Sequence, residues 1–347
     1  MNLDHFDSWL DMNGPVAVVV QEDMEPVQGK EAVFFPPTFA PPEGSQEAPS
    51  YVVDDTSQGK VAVVDTVGSQ ANRMEPLFKE SPYSELVPKA TVEIGERKVD
   101  LLDVGHRAAD AVVRFSGKWV ELKSAFLAIR NNGDAVPLAK LAPTSLVFGV
   151  WDSRDTQVKL PRLVGSTIRA YGVEKLTRSA QFFSATEKED TEGLGTQKFL
   201  SAVGLDDAPA GRTNGGVISR LGIQRQAVLN LVALRALGGK DGDQTRELQR
   251  YILGLSLIAL VSPSQRFLRE GCLLVPPEGQ YPTIKLVERT GKRADLQLPE
   301  EGVLEFARAA ANDFGVGDGW IAKFSRDSVS AAAKSDEKKK EEKKGKK

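Results

Sequence analysis

The chain has 347 residues, of which 41% are hydrophobic, enough for one large domain or two ordinary domains with a sizeable core. Its formal net charge of −3 speaks against a strongly basic nucleic-acid-binding protein, and its single cysteine, Cys272, excludes an intramolecular disulfide or a cysteine zinc cluster. The best apolar run, residues 252–261, holds only ten residues, too few to span a bilayer. Residues 1–12 lack the basic-then-apolar pattern of a secretory signal, so we expect a cytoplasmic protein without a membrane partner.

Charge is unevenly distributed along the chain. Residues 1–60 carry a net charge of −9 and residues 334–347 carry +4, which leaves +2 for the body between them. Within the body, residues 151–183 hold six basic and three acidic side chains, and residues 211–250 hold seven and three. Because the field that matters at physiological salt is local, either basic stripe could bind a phosphate backbone, although ordinary solvated surface is the alternative.

The predicted elements begin with an acidic, irregular N-terminal arm over residues 1–58, since its second half is rich in Pro, Glu, Gly and Ser. Residues 60–65 are a β-branched apolar run, typical of a buried strand. Ser69 is predicted to cap a helix over residues 70–78, with a bend at Pro76. The first core unit is therefore a strand, a tight turn and a short helix.

Residues 84–142 and 184–214 are predicted to be insertions, the first built of a hairpin and helices and the second irregular. Strands separated by helices and by two insertions indicate an α+β fold, in which a β-α-β-β-α-β order would give a ferredoxin-like sheet. From residue 331 the Lys/Glu tail is predicted to be disordered. The other predicted elements are strands over 91–94, 97–101, 145–151, 164–175, 217–221, 272–275 and 283–288, and helices over 103–114, 121–130, 224–237, 245–261 and 301–314.

The sequence contains few motifs that are typical of enzymes. The sequence has neither a P-loop nor a Gly-x-Ser-x-Gly elbow, and no paired His or Cys ligands for zinc. His106 and Asp110 stand four apart on a predicted helix and could act as a base and its orienting carboxylate, but a structural contact is the more common meaning of such a pair. We therefore predict that the protein is not an enzyme and has no cofactor and no metal.

Three features favour phosphate binding. The first is the turn that contains Ser69, Gln70, Asn72 and Arg73, because a helix N-terminus and planar donors suit a phosphate. A solvated polar turn is the alternative.

The second feature is a basic segment with interleaved aromatic residues, among them Trp151, of the kind on which bases of single-stranded RNA stack. Its basic residues are Lys159, Arg162, Arg169 and Arg178. The third is Gly215 and Gly216, which would let a backbone approach a ligand closely. The alternatives are an exposed sheet face with core aromatics and an ordinary turn.

Four segments resemble known blocks of one family. VDTVGSQANRME at residues 64–75 resembles the signature of the CRISPR-associated RAMP family that builds the backbone of the type I-G (earlier I-U) Cascade complex. LVFGVWDSR at residues 146–154 is similar to the second block, followed by Lys159 to Arg162. GHRAADA at residues 105–111 and LREGC at residues 268–272 match as well, so the resemblance covers about residues 55–320.

The resemblance implies an RRM-like palm over residues 59–330, with residues 84–142 as fingers and 184–214 as a thumb. Several copies would form a helical filament along one CRISPR RNA (crRNA), with Ser69, Gln70, Asn72 and Arg73 on the RNA backbone. Further implied partners are the target DNA strand paired with the guide, other Cascade subunits and a recruited helicase-nuclease, all in antiviral defence. Base pairing, and not the protein, would read the target sequence.

Other functions stay open. One alternative is a metal-independent endoribonuclease that processes CRISPR RNA, with His106 as its general base. A second is cleavage of target RNA by an acidic residue of the thumb, for which the candidates are Glu187, Glu189, Asp190 and Glu192. A third is a metabolic α+β enzyme that binds an anionic substrate at the Ser69 turn.

Overall fold

The structure is a computed structural model that describes residues 1–262 and 266–334. The predicted tail over residues 331–347 lies outside the described residues from 335 onward, and residues 326–334 are helical. Among the described residues, no helix combines the length and apolarity that crossing a bilayer requires. The fold is mixed α+β, as predicted.

The described strands are β1 (Ala17–Pro26), β2 (Thr38–Phe39), β3 (Ser50–Tyr51), β4 (Val53–Thr56), β5 (Gly59–Asp65), β6 (Ala90–Ile94), β7 (Arg97–Asp100), β8 (Val150–Trp151), β9 (Lys159–Leu160), β10 (Val164–Tyr171), β11 (Val173–Phe182), β12 (Ala208–Ser219), β13 (Ile223–Asn230), β14 (Phe267–Arg269), β15 (Cys272–Val275), β16 (Thr283–Val287), β17 (Arg293–Asp295) and β18 (Trp320–Lys323).

The described α-helices are α1 (Asp7–Leu10), α2 (Val67–Met74), α3 (Ala111–Arg114), α4 (Trp119–Asn132), α5 (Val136–Leu141), α6 (Thr144–Phe148), α7 (Lys188–Thr191), α8 (Gln197–Ala202), α9 (Leu231–Arg235), α10 (Gly242–Val261) and α11 (Glu300–Phe314). Short 3-10 turns span Glu75–Lys79, Ser84–Leu86, Leu101–Asp103 and Arg107–Ala109.

A nine-stranded sheet organises the molecule. Its strands follow the order β14-β15-β1-β13-β10-β5-β4, with β16 beside the first half of β1 and β17 beyond β16. Every pairing within this sheet is antiparallel. Strands β11 and β12 pair as a long ribbon between β10 and β13, so the second predicted insertion lies at the far end of that ribbon.

The main core lies on one face of this sheet, where α10 packs against β13 and α11 packs on α10. From Leu248 onward helix α10 is buried nearly all round, because it has the sheet on one side and α11 on the other; a side chain at Gly254 would meet the backbone of Ala307. The opposite face bears polar side chains, since β10 and β13 alternate strictly between buried and partly exposed residues. Thr167, Arg169 and Gln226 lie on that open face.

Several predicted elements are wrong, and the largest error is the helix over residues 224–237. That segment is strand β13 followed by the short helix α9, because Ile223, Arg225, Ala227 and Leu229 alternate inward at a period of two. The predicted strand over residues 145–151 is mostly helix α6, whose residues are all buried, so the apolar run carries no period that separates helix from strand. Strand β1 lies inside the arm that was predicted to be irregular.

Smaller corrections concern element boundaries. Helix α2 begins at Val67 with Thr66 as its N-cap, so Ser69 is not the cap. The predicted helix over residues 103–114 is two 3-10 turns and the four-residue helix α3. The predicted strand over residues 164–175 turns at Gly172 and continues as the ribbon. The hairpin over residues 91–101 and the helices α4, α10 and α11 are confirmed to within a few residues.

Candidate nucleic-acid interface

The first turns of α2 do not offer all of the donors that the sequence suggested. The Thr66 hydroxyl accepts the backbone N–H of Ser69 at 3.2 Å, which caps the helix. Gln70 is only 4% exposed; its amide donates to Asp65 Oδ2 at 2.7 Å, and its carbonyl accepts from Ser166 Oγ at 2.8 Å. The prediction that Gln70 contacts RNA is therefore wrong, because both ends of its side chain are bound inside the protein.

Arg73 is anchored in the same cluster. Its Nε donates to Asp65 Oδ2 at 3.0 Å and its Nη2 to the Leu268 carbonyl at 2.6 Å. The Asp65 carboxylate is 1% exposed and also accepts from Arg269 at 3.2 Å. Arg73 therefore holds the end of β5 to the chain around Leu268, while 22% of its side chain stays accessible.

This polar cluster continues across the buried face of the sheet. Ser166 Oγ accepts from Arg225 Nε at 3.2 Å, and Arg225 pairs with the buried Glu22 at 3.2 Å. Glu22 also binds Arg266 at 2.6 Å. A chain of hydrogen bonds thus links α2, β10, β13 and β1, which satisfies polar groups that would be costly to bury unpaired.

Asn72 points to a different place and is exposed. Its side-chain oxygen lies 3.4 Å from Arg107 Nη2, and Arg107 Nη1 lies 3.3 Å from the Gly149 carbonyl. Beside them is a cleft of about 430 Å³ lined by residues 105–107, 149–151, 153 and 159–162. We call it the tryptophan cleft, after Trp151. The segments GHRAADA and LVFGVWDSR, which are far apart in sequence, meet here.

Arg107 forms the floor of the tryptophan cleft. Its Nε lies 2.7 Å from Glu75 Oε2, and both side chains are buried. Burial raises the pKa of Glu75 to about 7, although the charge of Arg107 opposes the shift. Burial also lowers the pKa of the Arg107 guanidinium, and the nearby charge of Arg162 adds to this effect.

Trp151 and Lys159 form the outer wall. They are direct partners in the β8–β9 pairing, and Lys159 Nζ lies 5.3 Å from the centre of the indole ring, in cation–π range. The loop between them is fixed by the fully buried Asp152, which accepts the backbone N–H of Thr156 at 2.6 Å and its hydroxyl at 2.7 Å. Trp151 is held in place at its backbone, yet 56% of its surface is exposed.

Three cations in or beside the cleft are not neutralised. In the part of the chain that the structure describes, no carboxylate lies within ion-pair distance of Arg154, Lys159 or Arg162. His106, also in the lining, is 83% exposed and lies 3.5 Å from Asp110. An exposed indole beside unpaired cations matches the chemistry of a base and its phosphate.

The second basic stripe, residues 211–250, forms ion pairs within the protein. Its arginines bind acidic residues of the chain's own N-terminal arm, in the pairs Arg220–Glu31, Arg225–Glu22, Arg246–Asp11 and Arg250–Asp7. Arg250 is bidentate to Asp7, at 2.9 and 2.6 Å. The arm therefore neutralises four basic residues of this stripe within one molecule, whereas Arg154, Lys159 and Arg162 of the stripe over residues 151–183 have no carboxylate partner in the described structure.

The other predicted site residues are scattered. Arg169 lies on the open sheet face and donates to the Thr167 hydroxyl at 2.9 Å. Arg178 is exposed on the ribbon with its guanidinium 5.7 Å from the Phe35 ring centre. A side chain at Gly215 would lie 2.5 Å from the Thr177 backbone, so Gly215 serves packing and not ligand approach.

Gly216 is likewise structural. Its φ is +95°, and a side chain there would lie 2.4 Å from Val33.

The acidic residues predicted as thumb candidates have structural roles or no metal-binding arrangement. Glu187 and Asp190 form the capping box of α7. Among residues 1–262 and 266–334, no group of three or more His, Cys, Asp or Glu is placed to hold a metal ion.

Comparison with known proteins gives one family. A search of curated proteins found no match. Residues 18–175 match the model of the family described as CRISPR-associated protein GSU0053 (Cas_GSU0053), and this segment contains the tryptophan cleft and α2. The match marks this segment, a little under half of the chain, as similar to a CRISPR-associated protein of the RAMP type.

Proposed function

We propose that the chain is a non-catalytic backbone subunit of a type I CRISPR effector, the Cascade complex of type I-G, and that it binds crRNA in the cytoplasm. The observation that carries the proposal is the tryptophan cleft, in which Lys159 and Arg162 lack carboxylate partners among the described residues and Trp151 is exposed. Such a site recognises phosphate and base faces without reading sequence, which suits a subunit whose guide RNA does the reading.

The strand order supports an RRM-like palm. Four core strands occur along the chain as β1, β10, β13 and β16, and lie in the sheet as β16-β1-β13-β10. This is the arrangement of a β-α-β-β-α-β unit, with α10 between the third and fourth strands. The β11–β12 ribbon joins the second and third strands and would be the thumb, with residues 84–142 as the fingers.

The proposed assembly places further copies of the chain along one crRNA in a helical filament. The target DNA strand would pair with the guide held by these copies, and other Cascade subunits and a helicase-nuclease would join the complex in antiviral defence. Of the predicted RNA ligands, Ser69, Asn72, Arg73, Lys159, Arg162, Arg169 and Arg178 remain candidates, since each side chain is at least partly exposed.

The experiment is a salt titration of binding to an unstructured RNA oligonucleotide, followed by fluorescence anisotropy. For single strands, each phosphate contact contributes about 0.7 to the slope of log K against log salt, so Lys159→Gln with Arg162→Gln should reduce the slope by roughly 1.4. Arg97→Gln is the matched control, because Arg97 is an exposed arginine on the separate β6–β7 hairpin. A slope equal to that of the control would refute the proposal.

A second candidate function has one observation in its favour. His106 lines the tryptophan cleft with its ring 3.5 Å from Asp110, so a general base would lie beside the proposed RNA. The chain would then be a metal-independent endoribonuclease that processes CRISPR RNA. Incubation of the purified chain with repeat RNA in EDTA tests this: specific cuts that disappear in His106→Ala would favour the nuclease, and intact RNA favours the non-catalytic role.

A further inference from the structure

A second cleft lies where the N-terminal arm meets the ribbon. Its volume is about 290 Å³, and we call it the arm cleft. It is lined by Phe35, Pro36, Pro37, Thr38, Tyr51, Arg178, Thr213, Asn214 and Arg269. It shares no lining residue with the tryptophan cleft, and it is of the size that suits one small ligand and not a folded partner.

The aromatic wall of the arm cleft is built into the fold. The Phe35 N–H donates to the Gly271 carbonyl at 2.9 Å, and its ring packs so closely on Gly271 that a side chain there would lie 2.6 Å away. Gly271 has a φ of +71°, which only glycine adopts readily. Phe34, the preceding residue, is buried and bridges to Val217 of the ribbon. The position of the Phe35 ring is thus fixed from both sides.

Positive charge is in excess around this wall. Arg178 lies over the Phe35 ring with no carboxylate within ion-pair distance among the described residues. Arg269 shares the single buried carboxylate of Asp65 with Arg73, and its Nη1 has no hydrogen-bond partner within the described structure. Two of these guanidinium groups therefore share one carboxylate and the third, that of Arg178, has none in the described structure, which favours an anionic ligand.

Helix α2 links the two clefts. Asn72 contacts Arg107 of the tryptophan cleft, and Arg73, the next residue, binds the Leu268 carbonyl beside Arg269 of the arm cleft. A phosphate chain that passes the last turn of α2 would meet cations on both sides of it. This arrangement favours an extended polyanion over an isolated small anion.

We propose that the arm cleft is a second nucleotide subsite, which takes one nucleotide of the same single-stranded RNA, with the base on Phe35 and the phosphate at Arg178 and Arg269. The inference rests on the proposed function and adds to it a role for the N-terminal arm. An acidic peptide would satisfy the arginines but, unlike a nucleotide, would bring no aromatic ring to pack on Phe35 beside Arg178.

The test uses the full-length chain and RNA oligonucleotides that carry 4-thiouridine, a photo-crosslinking base. Wild-type protein should give a crosslink in the peptide around Phe35, and Arg178→Gln should lower affinity by about fivefold or more, with a smaller salt slope. Phe35→Leu keeps an apolar contact with Gly271 and should give a similar loss. Arg178 is exposed, so Arg178→Gln should melt like the wild type, and Arg97→Gln is again the control for lost charge.

The outcomes separate the inference from the function on which it rests. If Arg178→Gln and Phe35→Leu bind RNA like Arg97→Gln, while Lys159→Gln with Arg162→Gln binds less, the arm cleft is not a nucleotide subsite and the proposed function stands. If none of these variants loses affinity, both proposals fail. If a poly-glutamate peptide binds in an Arg178-dependent manner and the RNA does not, the cleft recognises acidic peptide and the inference is overturned.

Discussion

Replacement of Asp65 by asparagine should strongly destabilise the fold. The carboxylate is 1% exposed and accepts from Gln70, Arg73 and Arg269 at 2.7, 3.0 and 3.2 Å. Asparagine keeps the shape but removes the charge, so two guanidinium groups lose their counter-ion. Removal of one partner from a buried ion pair costs about 3–5 kcal/mol, and the low end applies here because both arginines stay partly solvated.

The measurement is the free energy of unfolding from denaturant titration, compared with Asp54→Asn, which changes an exposed carboxylate on the neighbouring strand β4. We expect a loss of about 3 kcal/mol for Asp65→Asn and within about 0.5 kcal/mol for the control. The double variant Asp65→Asn, Arg269→Gln should lose less than the sum of the single variants. A strictly additive double variant, or a loss no larger than the control's, would refute the role given to this carboxylate.

Three further predictions concern Glu75, the arm and Gly216. Because burial raises the folded pKa of Glu75 to about 7, above its unfolded value of 4.5, its contribution to stability is present at low pH and is lost as pH rises toward 7. The stability difference between Glu75→Gln and wild type should therefore change by up to about 3 kcal/mol between pH 4.5 and 7, and a flat difference would contradict it. Deletion of residues 1–50 removes β1 and should abolish the cooperative melting transition; a folded product would contradict the fold given to the arm. Gly216→Ala should cost about 2–4 kcal/mol of unfolding free energy in denaturant titration, and more than Gly44→Ala, which has a similar φ but open space; equal losses would exclude the clash with Val33.

The sequence predicts amphipathic elements well and fully buried ones badly. Helix α11 has a clear apolar face and is confirmed to within one residue at its start. Residues 144–148 are all buried, so the run of apolar residues has no periodicity that distinguishes a helix from a strand. Strand β13 was mistaken for helix because Val228 is an exposed apolar residue between inward-facing positions, and its spacing from Leu231 and Leu234 imitates a helical pattern.

The sequence indicates exposed basic side chains more readily than it indicates which polar side chains pair inside the fold. Lys159 and Arg162 stay candidate ligands, because no carboxylate in the described structure neutralises them. The burial of Gln70 could not be predicted. Its partner Ser166 is distant in sequence, and its partner Asp65, although near, stands in no pattern that marks it as a buried acceptor. Arg73→Glu would consequently be a poor probe of RNA binding, because it would place a second carboxylate against Asp65 and lower stability.

Phe35 was not predicted as a candidate binding residue for a related reason. It lies in a proline-rich stretch of an acidic arm, and neither feature suggests a site for an anion. Its environment arises only when the arm folds onto the ribbon, where Arg178 and Arg269 come from segments 91 residues apart in number and far from the arm. Long-range contacts of this kind leave no local signal in a single sequence.

The same contacts decide which basic stripe is open to a ligand. Both stripes carry a local excess of positive charge, yet Asp7, Asp11, Glu22 and Glu31 bind the arginines of residues 211–250. An acidic arm that contacted a neighbouring copy would therefore have to use the carboxylates that have no ion pair within the chain. In the described structure Asp4, Asp23 and Glu25 have no ion pair, and neither do the carboxylates between residues 43 and 55, so any contact of the arm with a second copy should depend on these residues.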